Sequence, residues 1–123
     1  MNMMKNRVQL IGAIGRDPEM RRFENGKALM RIVVTTSETY KNDKGDMVTS
    51  TQWHPVVAWG RLAERMEKYL RKGSEVVLNG KLTHRSYEDK EGVTKYVTEV
   101  VADEFMLFST QQQNSPAVAV TPF

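Results

Sequence analysis

The chain has 123 residues, 27% of them charged and 40% hydrophobic, with a formal net charge of +3 at pH 7. That length holds one domain with an adequate core and leaves no room for a second. The lack of Cys excludes disulfides, thiolate metal sites and Cys nucleophiles, and no apolar stretch approaches membrane-spanning length, so a soluble cytoplasmic protein is expected.

Taken in chain order, the first strand is predicted over Lys5–Ile14, with Val8, Leu10 and Ile14 on one face and Gly12 marking a bend or bulge. Asp17-Pro18 breaks it. Asn25-Gly26 is a strong turn pair, and the β-branched run Ala28–Ser37 follows as a second strand. Glu38–Ser50 reads as a polar loop around Asp43-Lys44-Gly45-Asp46, and a third strand runs over Thr51–Trp59. A helix is predicted over Arg61–Lys72, because Leu62, Met66, Tyr69 and Leu70 recur at helical spacing, Glu64 and Lys68 form an i, i+4 pair, and Gly73 stops the pattern. Glu75–Tyr87 and Lys95–Phe108 then form two long strands around a charged tip, Glu88–Gly92. Three strands, one helix and two strands make an all-β chain with one helix. This is the order of the five-stranded Greek-key barrel called the OB-fold, whose helix between the third and fourth strands closes one end.

Tyr40, Trp53, Trp59 and Tyr87 lie in or beside these strands, and Lys41, Arg61, Arg65, Lys81 and Arg85 are interleaved with them. A groove for single-stranded nucleic acid needs this mixture: flat rings stack on exposed bases at about 1–3 kcal/mol each, and cations neutralise the phosphates between them. The ordinary alternative is that strand aromatics pack in a core. Alternation places Trp53, Pro55, Val57 and Trp59 on one face of the third strand and His54, Val56 and Ala58 on the other. A narrow barrel holds Val56 and Ala58 more easily than two indoles, so the Trp face is expected to point outward. Pro55 cannot donate to a ladder, which places it at an edge or a bulge and is expected to distort the local pairing.

Arg7-Val8, Gly12, Gly15-Arg16-Asp17-Pro18-Glu19, Asn25-Gly26, Thr36-Ser37-Glu38, Trp53-His54, Gly60-Arg61-Leu62-Ala63-Glu64, Tyr69-Leu70-Arg71-Lys72-Gly73 and Thr98-Glu99-Val100 occur in an order and spacing that resemble the bacterial single-stranded DNA-binding protein (SSB) family. The resemblance covers Lys5 to about Phe108. It implies an OB-fold domain over residues 1–108, assembly into a homotetramer, and sequence-tolerant binding and protection of single-stranded DNA in replication, recombination and repair, with neither catalysis nor a cofactor. The family's stacking positions fall on Tyr40, Trp53, Trp59 and Tyr87. Its phosphate-contacting positions fall on Arg7, Arg21, Arg61, Lys72 and Arg85, each of which is alternatively a solvated surface charge.

His54 fits neither a metal site nor a general base: the only other His is His84, and no nucleophile with an orienting acid accompanies it. The resemblance implies a place between subunits, the alternative being a hydrogen-bonded core histidine. Residues 109–123 read as a short disordered tail that ends in Pro122-Phe123. In the family an acidic tip ending in this pair recruits replication and repair proteins. Here no charged side chain follows Glu104, so DNA binding is better supported than recruitment. An OB-fold accessory or RNA-binding protein is the second reading, and an enzyme is a distant third, for want of a phosphate-binding loop or a paired nucleophile and base.

Overall fold

A computed structural model describes residues 5–109 of the chain. Its elements are β1 (Val8–Ile14), β2 (Glu19–Arg22), β3 (Ala28–Lys41), β4 (Met47–Trp59), α1 (Gly60–Tyr69), β5 (Glu75–Glu88) and β6 (Thr94–Ser109). The strands pair in the order β1-β5-β6-β4-β3-β2, and β1 also pairs with β3, so β1, β3, β4, β5 and β6 close a five-stranded barrel. This is the OB-fold, with α1 between the third and fourth barrel strands. The short β2 lies outside the ring on β3. With one apolar residue in four, Glu19-Met20-Arg21-Arg22 carries too little alternation to read as a strand.

Closure depends on one bend. β1 runs beside β5 from Val8 to Ala13 and then beside β3 at Ala13 and Ile14. At that crossing Gly12 lies against β3 so tightly that a Cβ would sit 2.0 Å from the Thr35 carbonyl oxygen. Only a residue without a side chain permits the approach. Inside the ring, Leu10, Ile32, Val34, Val56, Leu78 and Val100 belong to one buried cluster, and Ala63, Met66 and Leu70 plug its end. The helix stops earlier than its pattern suggested, with Leu70 already extended as the C-cap. Tyr69 faces solvent rather than the core, and the Lys68 ammonium lies 5.5 Å from its ring centroid.

The segment 38–50 is mostly hairpin arm instead of loop. β3 and β4 pair without interruption from Leu29 opposite Trp59 to Lys41 opposite Met47. Beyond the barrel neither face of this arm is buried, which removes the apolar alternation that marks a strand, and hydroxyl pairs such as Ser37 Oγ with Thr51 Oγ1 at 3.0 Å lie across it. Three hairpins share one turn. Residues 23, 42 and 89 each donate their N–H to the carbonyl four residues on, and each accepts from the N–H of Gly26, Gly45 or Gly92, whose φ angles of 87°, 85° and 80° need no Cβ.

Pro55 does not distort the ladder. The Val33 carbonyl accepts from the Gly15 N–H at 2.8 Å, on the side of β3 away from β4. Val33 and Pro55 are therefore a non-hydrogen-bonded pair, and the nitrogen of Pro55 points away from β3. On that side β6 pairs with β4 only at Val56 and Val57, so no backbone partner is lost.

A bidentate ion pair, Arg22 to Glu67 at 2.7 and 3.3 Å, fastens β2 to α1. The hydrogen bond from Arg22, more than its charge, holds the Glu67 carboxyl below the usual carboxylate range. A lowered folded pKa contributes stability that is present above the unfolded value and is lost as pH falls through the folded one. Glu67→Gln should therefore lower the melting temperature near neutral pH, with the difference from the parent closing in acid and narrowing in high salt, as read by thermal scans. Urea unfolding should separate the two faces of α1: Met66→Ala should cost about 2–5 kcal/mol, and Tyr69→Ala no more than about 0.5 kcal/mol.

Candidate nucleic-acid interface

Strand register builds the site. Reading across neighbouring strands on the outer barrel face, Arg21, Leu29 and Trp59 form one row, Glu19, Arg31 and Val57 the next, then Val33 with Pro55, and Thr35 with Trp53. Trp59 and Trp53 thus stand at the two ends of one face, six residues and about 20 Å apart along β4. Between them lies a groove of about 530 Å3, floored by Val33, Pro55 and Val57 and walled on the β5–β6 side by Arg85, Tyr87, Val97 and Glu99. Arg16, Asp17, Glu19 and Arg31 line its other side.

The core-packing alternative for the aromatics is settled by exposure: Tyr40 is 52% exposed, Trp53 57%, Trp59 48% and Tyr87 47%. Three of them share the outer face or its groove. Tyr40 does not. Opposite Val48 in an unbroken register, it shares the hairpin face of His54 instead of that of Trp53. A strand that met Trp53 and Tyr40 together would have to pass around the β3–β4 arm. Trp53 has its own positioning device, since a Cβ on Gly15 would come within 2.8 Å of the indole. Any side chain there would displace the ring.

The basic residues divide into two kinds. Arg7 bonds Asp103 at 2.8 Å, and Asp103 is the extra residue where the β5–β6 register slips. Arg85 Nε donates to Glu99 Oε1 at 2.7 Å, and Glu99 is 7% exposed. That hydrogen bond and the carboxylate charge raise the Arg85 pKa further above its ordinary value. These two cations are already partnered. Among the described residues, Arg21, Arg61 and Lys72 form no ion pair, and neither do Arg16 and Arg31 in the groove. Arg61 is exposed in the first turn of α1, Lys72 is exposed in the turn after it, and Arg21 lies 5.1 Å over the Phe23 ring.

Arg16, Arg31 and Phe23 were not picked out from the sequence as site residues. For Arg31 the signal was present, because it alternates with the inward Met30 and Ile32. For Phe23 it was not: the ring reaches Trp59, at 6.2 Å between centroids and 22° between planes, only because β2 pairs with β3. His54 is half-buried, its Nε2 2.9 Å from Thr36 Oγ1. Among the described residues no cluster of His, Asp or Glu could hold a metal ion. Pro122 and Phe123 lie outside the described residues.

Residues 5–108 match the model of the single-strand binding protein family. Single-stranded DNA-binding protein 1 of Chlorobaculum tepidum is 39% identical over 107 residues, 86% of this chain and 66% of that protein. The Neisseria meningitidis serogroup B single-stranded DNA-binding protein is 39% identical over 113 residues, 92% of this chain and 65% of its own length. The chain therefore spans just under two thirds of these relatives. Against Xylella fastidiosa single-stranded DNA-binding protein 1 the identity is 39% over 111 residues, 89% of this chain and 82% of the other. Among solved structures, a Plasmodium falciparum SSB in complex with ssDNA superposes with a TM-score of 0.76 at 24% identity, over 89% of this chain and all of that one, a likeness of fold. A deletion mutant of the single-stranded DNA binding protein from Thermus aquaticus gives 0.73 at 26% identity, over 85% of this chain and 50% of that one.

Removing Arg85 would leave Glu99 buried without its partner. Arg85→Ala should therefore destabilise the fold by about 1–3 kcal/mol in urea unfolding, and adding Glu99→Gln should recover much of that loss. A structurally idle Arg85 would show neither effect.

Proposed function

The chain belongs to the single-strand binding protein family, and from that membership we propose that it binds and protects single-stranded DNA with little regard to sequence, in replication, recombination and repair, without catalysis. The observation that carries this reading is the outer face of β4, where two half-exposed indoles bracket a groove lined by Arg16 and Arg31, which form no ion pair among the described residues. Exposed rings of that size are costly on a surface unless they meet a ligand or another subunit. Bases stack on the rings, and Arg16 and Arg31 join Arg21, Arg61 and Lys72 as the charges that follow the backbone. Arg7 and Arg85 contribute less, because carboxylates already hold them.

The OB-fold domain spans residues 1–108, with residues 109–123 as a tail. Wrapping of a long strand is assigned to a homotetramer with His54 between subunits, and any protein partner to the tail that carries Pro122 and Phe123. Among the described residues no helix is long and apolar enough to cross a membrane, and the proposed setting is the bacterial cytoplasm, on the nucleoid.

Titration with poly(dT) tests the reading. Binding should quench most of the Trp fluorescence, and Trp53→Ala and Trp59→Ala should each weaken it by about 1–3 kcal/mol with unchanged circular dichroism. Log affinity should fall against log salt by about 0.7 per neutralised phosphate, equally for oligo(dT) and mixed sequence. Preference for duplex over poly(dT), or affinity indifferent to salt, would defeat the proposal.

A further inference from the structure

We propose that Arg21, Phe23 and Trp59 form a three-layer stack that holds one nucleotide, with Phe23 as the positioning residue that fixes the Trp59 indole and presents its free side to a base. The nucleotide part rests on the single-strand reading above. The positioning part stands on geometry alone. The Arg21 guanidinium lies 5.1 Å over the Phe23 ring, and Phe23 stacks on Trp59 at 6.2 Å and 22°. Phe23 meets both the cation and the indole, so its ring is less open to a base than that of Trp59. Trp59 is the outermost ring, with one side covered and 48% of its surface still exposed.

The backbone holds this stack in place from three directions. Arg21 is opposite Leu29, and Leu29 is opposite Trp59, so cation and indole flank one row of the sheet. Phe23, two residues beyond Arg21, projects on the same side and is the first residue of the hairpin turn, with N–H and C=O bonded to Lys27 and Gly26 at 2.9 Å. Arg22 points the opposite way, and its pair with Glu67 clamps β2 against α1. Leu29 is buried, yet it lies outside the main core cluster, as expected for a residue roofed by the stack.

Phe23 leaves 36% of its surface exposed, less than the indole beside it. Trp59 closes β4 and serves as N-cap of α1 without a side-chain cap bond. Without Phe23 behind it, this terminal indole would be free to turn away from the groove. Stacked pairs contribute about 0.5–1.5 kcal/mol beyond their buried area, and the grip on a base should change accordingly.

The chain has two Trp, so Trp53→Phe leaves Trp59 as the only indole reporter. In that background Phe23→Tyr keeps a flat ring, Phe23→Leu keeps apolar cover without one, and Phe23→Ala removes both. Each protein is read by acrylamide quenching of free Trp59, by oligo(dT) affinity and by melting temperature. Phe23→Tyr should match the parent. Phe23→Leu should keep its melting temperature within a few degrees, yet open Trp59 to acrylamide and weaken oligo(dT) binding about 2- to 10-fold, and Phe23→Ala should do so at least as strongly. A Phe23→Leu protein with parental quenching and parental affinity would reduce Phe23 to a cover for Leu29 and overturn the stack. A native chain, with both Trp present, that binds no oligo(dT) would overturn the single-strand reading and the nucleotide part with it, and the acrylamide comparison would still decide whether Phe23 fixes the indole.

Discussion

The closure of β1 onto both β5 and β3 is the constraint from which the rest follows. A five-stranded ring so narrow is filled by aliphatic side chains, Val, Ala, Leu, Ile and Met30, and has no room for an indole. Every large ring on β4 is therefore forced to the outer face, and the inner alternation of Val56 and Ala58 fixes which positions those are. Gly12 makes the closing approach possible, so the outward display of Trp53 and Trp59 depends on a residue on a different strand. The groove between the two indoles is thus a by-product of how the barrel shuts.

Electrostatics on this face are arranged more subtly than a count of cations suggests. Glu99 sits nearly buried in the groove wall and engages Arg85, Asp103 elsewhere engages Arg7, and among the described residues Arg16 and Arg31 have no carboxylate partner. An arginine held by a buried acid is rigid and partly neutralised, whereas an unpaired one keeps its full charge and can follow a flexible ligand. The two classes differ in what removing them does. Loss of the first exposes a stability cost, and loss of the second touches only the field outside the protein.

Much of the fold was legible in the sequence because burial imposes period. Strand β1 and the inner part of β3 show alternation, β4 and β5 carry short buried apolar runs at 56–58 and 76–78, and α1 shows its stripe at Leu62, Met66 and Leu70. What escaped reading has a common cause. The outer arm from Glu38 to Ser50 and the short β2 bury almost nothing, so their hydrogen-bonded order leaves no hydrophobic trace. Tyr69 misled for the opposite reason: it holds an apolar-looking position as the last residue of the helix, yet its ring faces solvent beside Lys68. Of the site, Trp53 and Trp59 were readable as outward rings. The separation of Tyr40 onto the other hairpin face needed the register, and the partnering of Arg7 and Arg85 needed tertiary contacts between strands far apart in the chain.

The turn repeated at residues 23–27, 42–46 and 89–93 is satisfied from within its own five residues. In the latter two, Asn42 Oδ1 accepts from Lys44 and Asp46, and Asp89 Oδ1 accepts from Glu91 and Val93. Such a tip makes no demand on the arm that carries it. Because side chains alternate with period two, an arm that loses or gains one residue on each strand exchanges the faces of everything beyond the change, and one that alters by two keeps them. The reach of each arm is therefore quantised: it lengthens or shortens in steps of two residues per strand, about 7 Å at a time, with Tyr40 or Tyr87 carried along on an unchanged side.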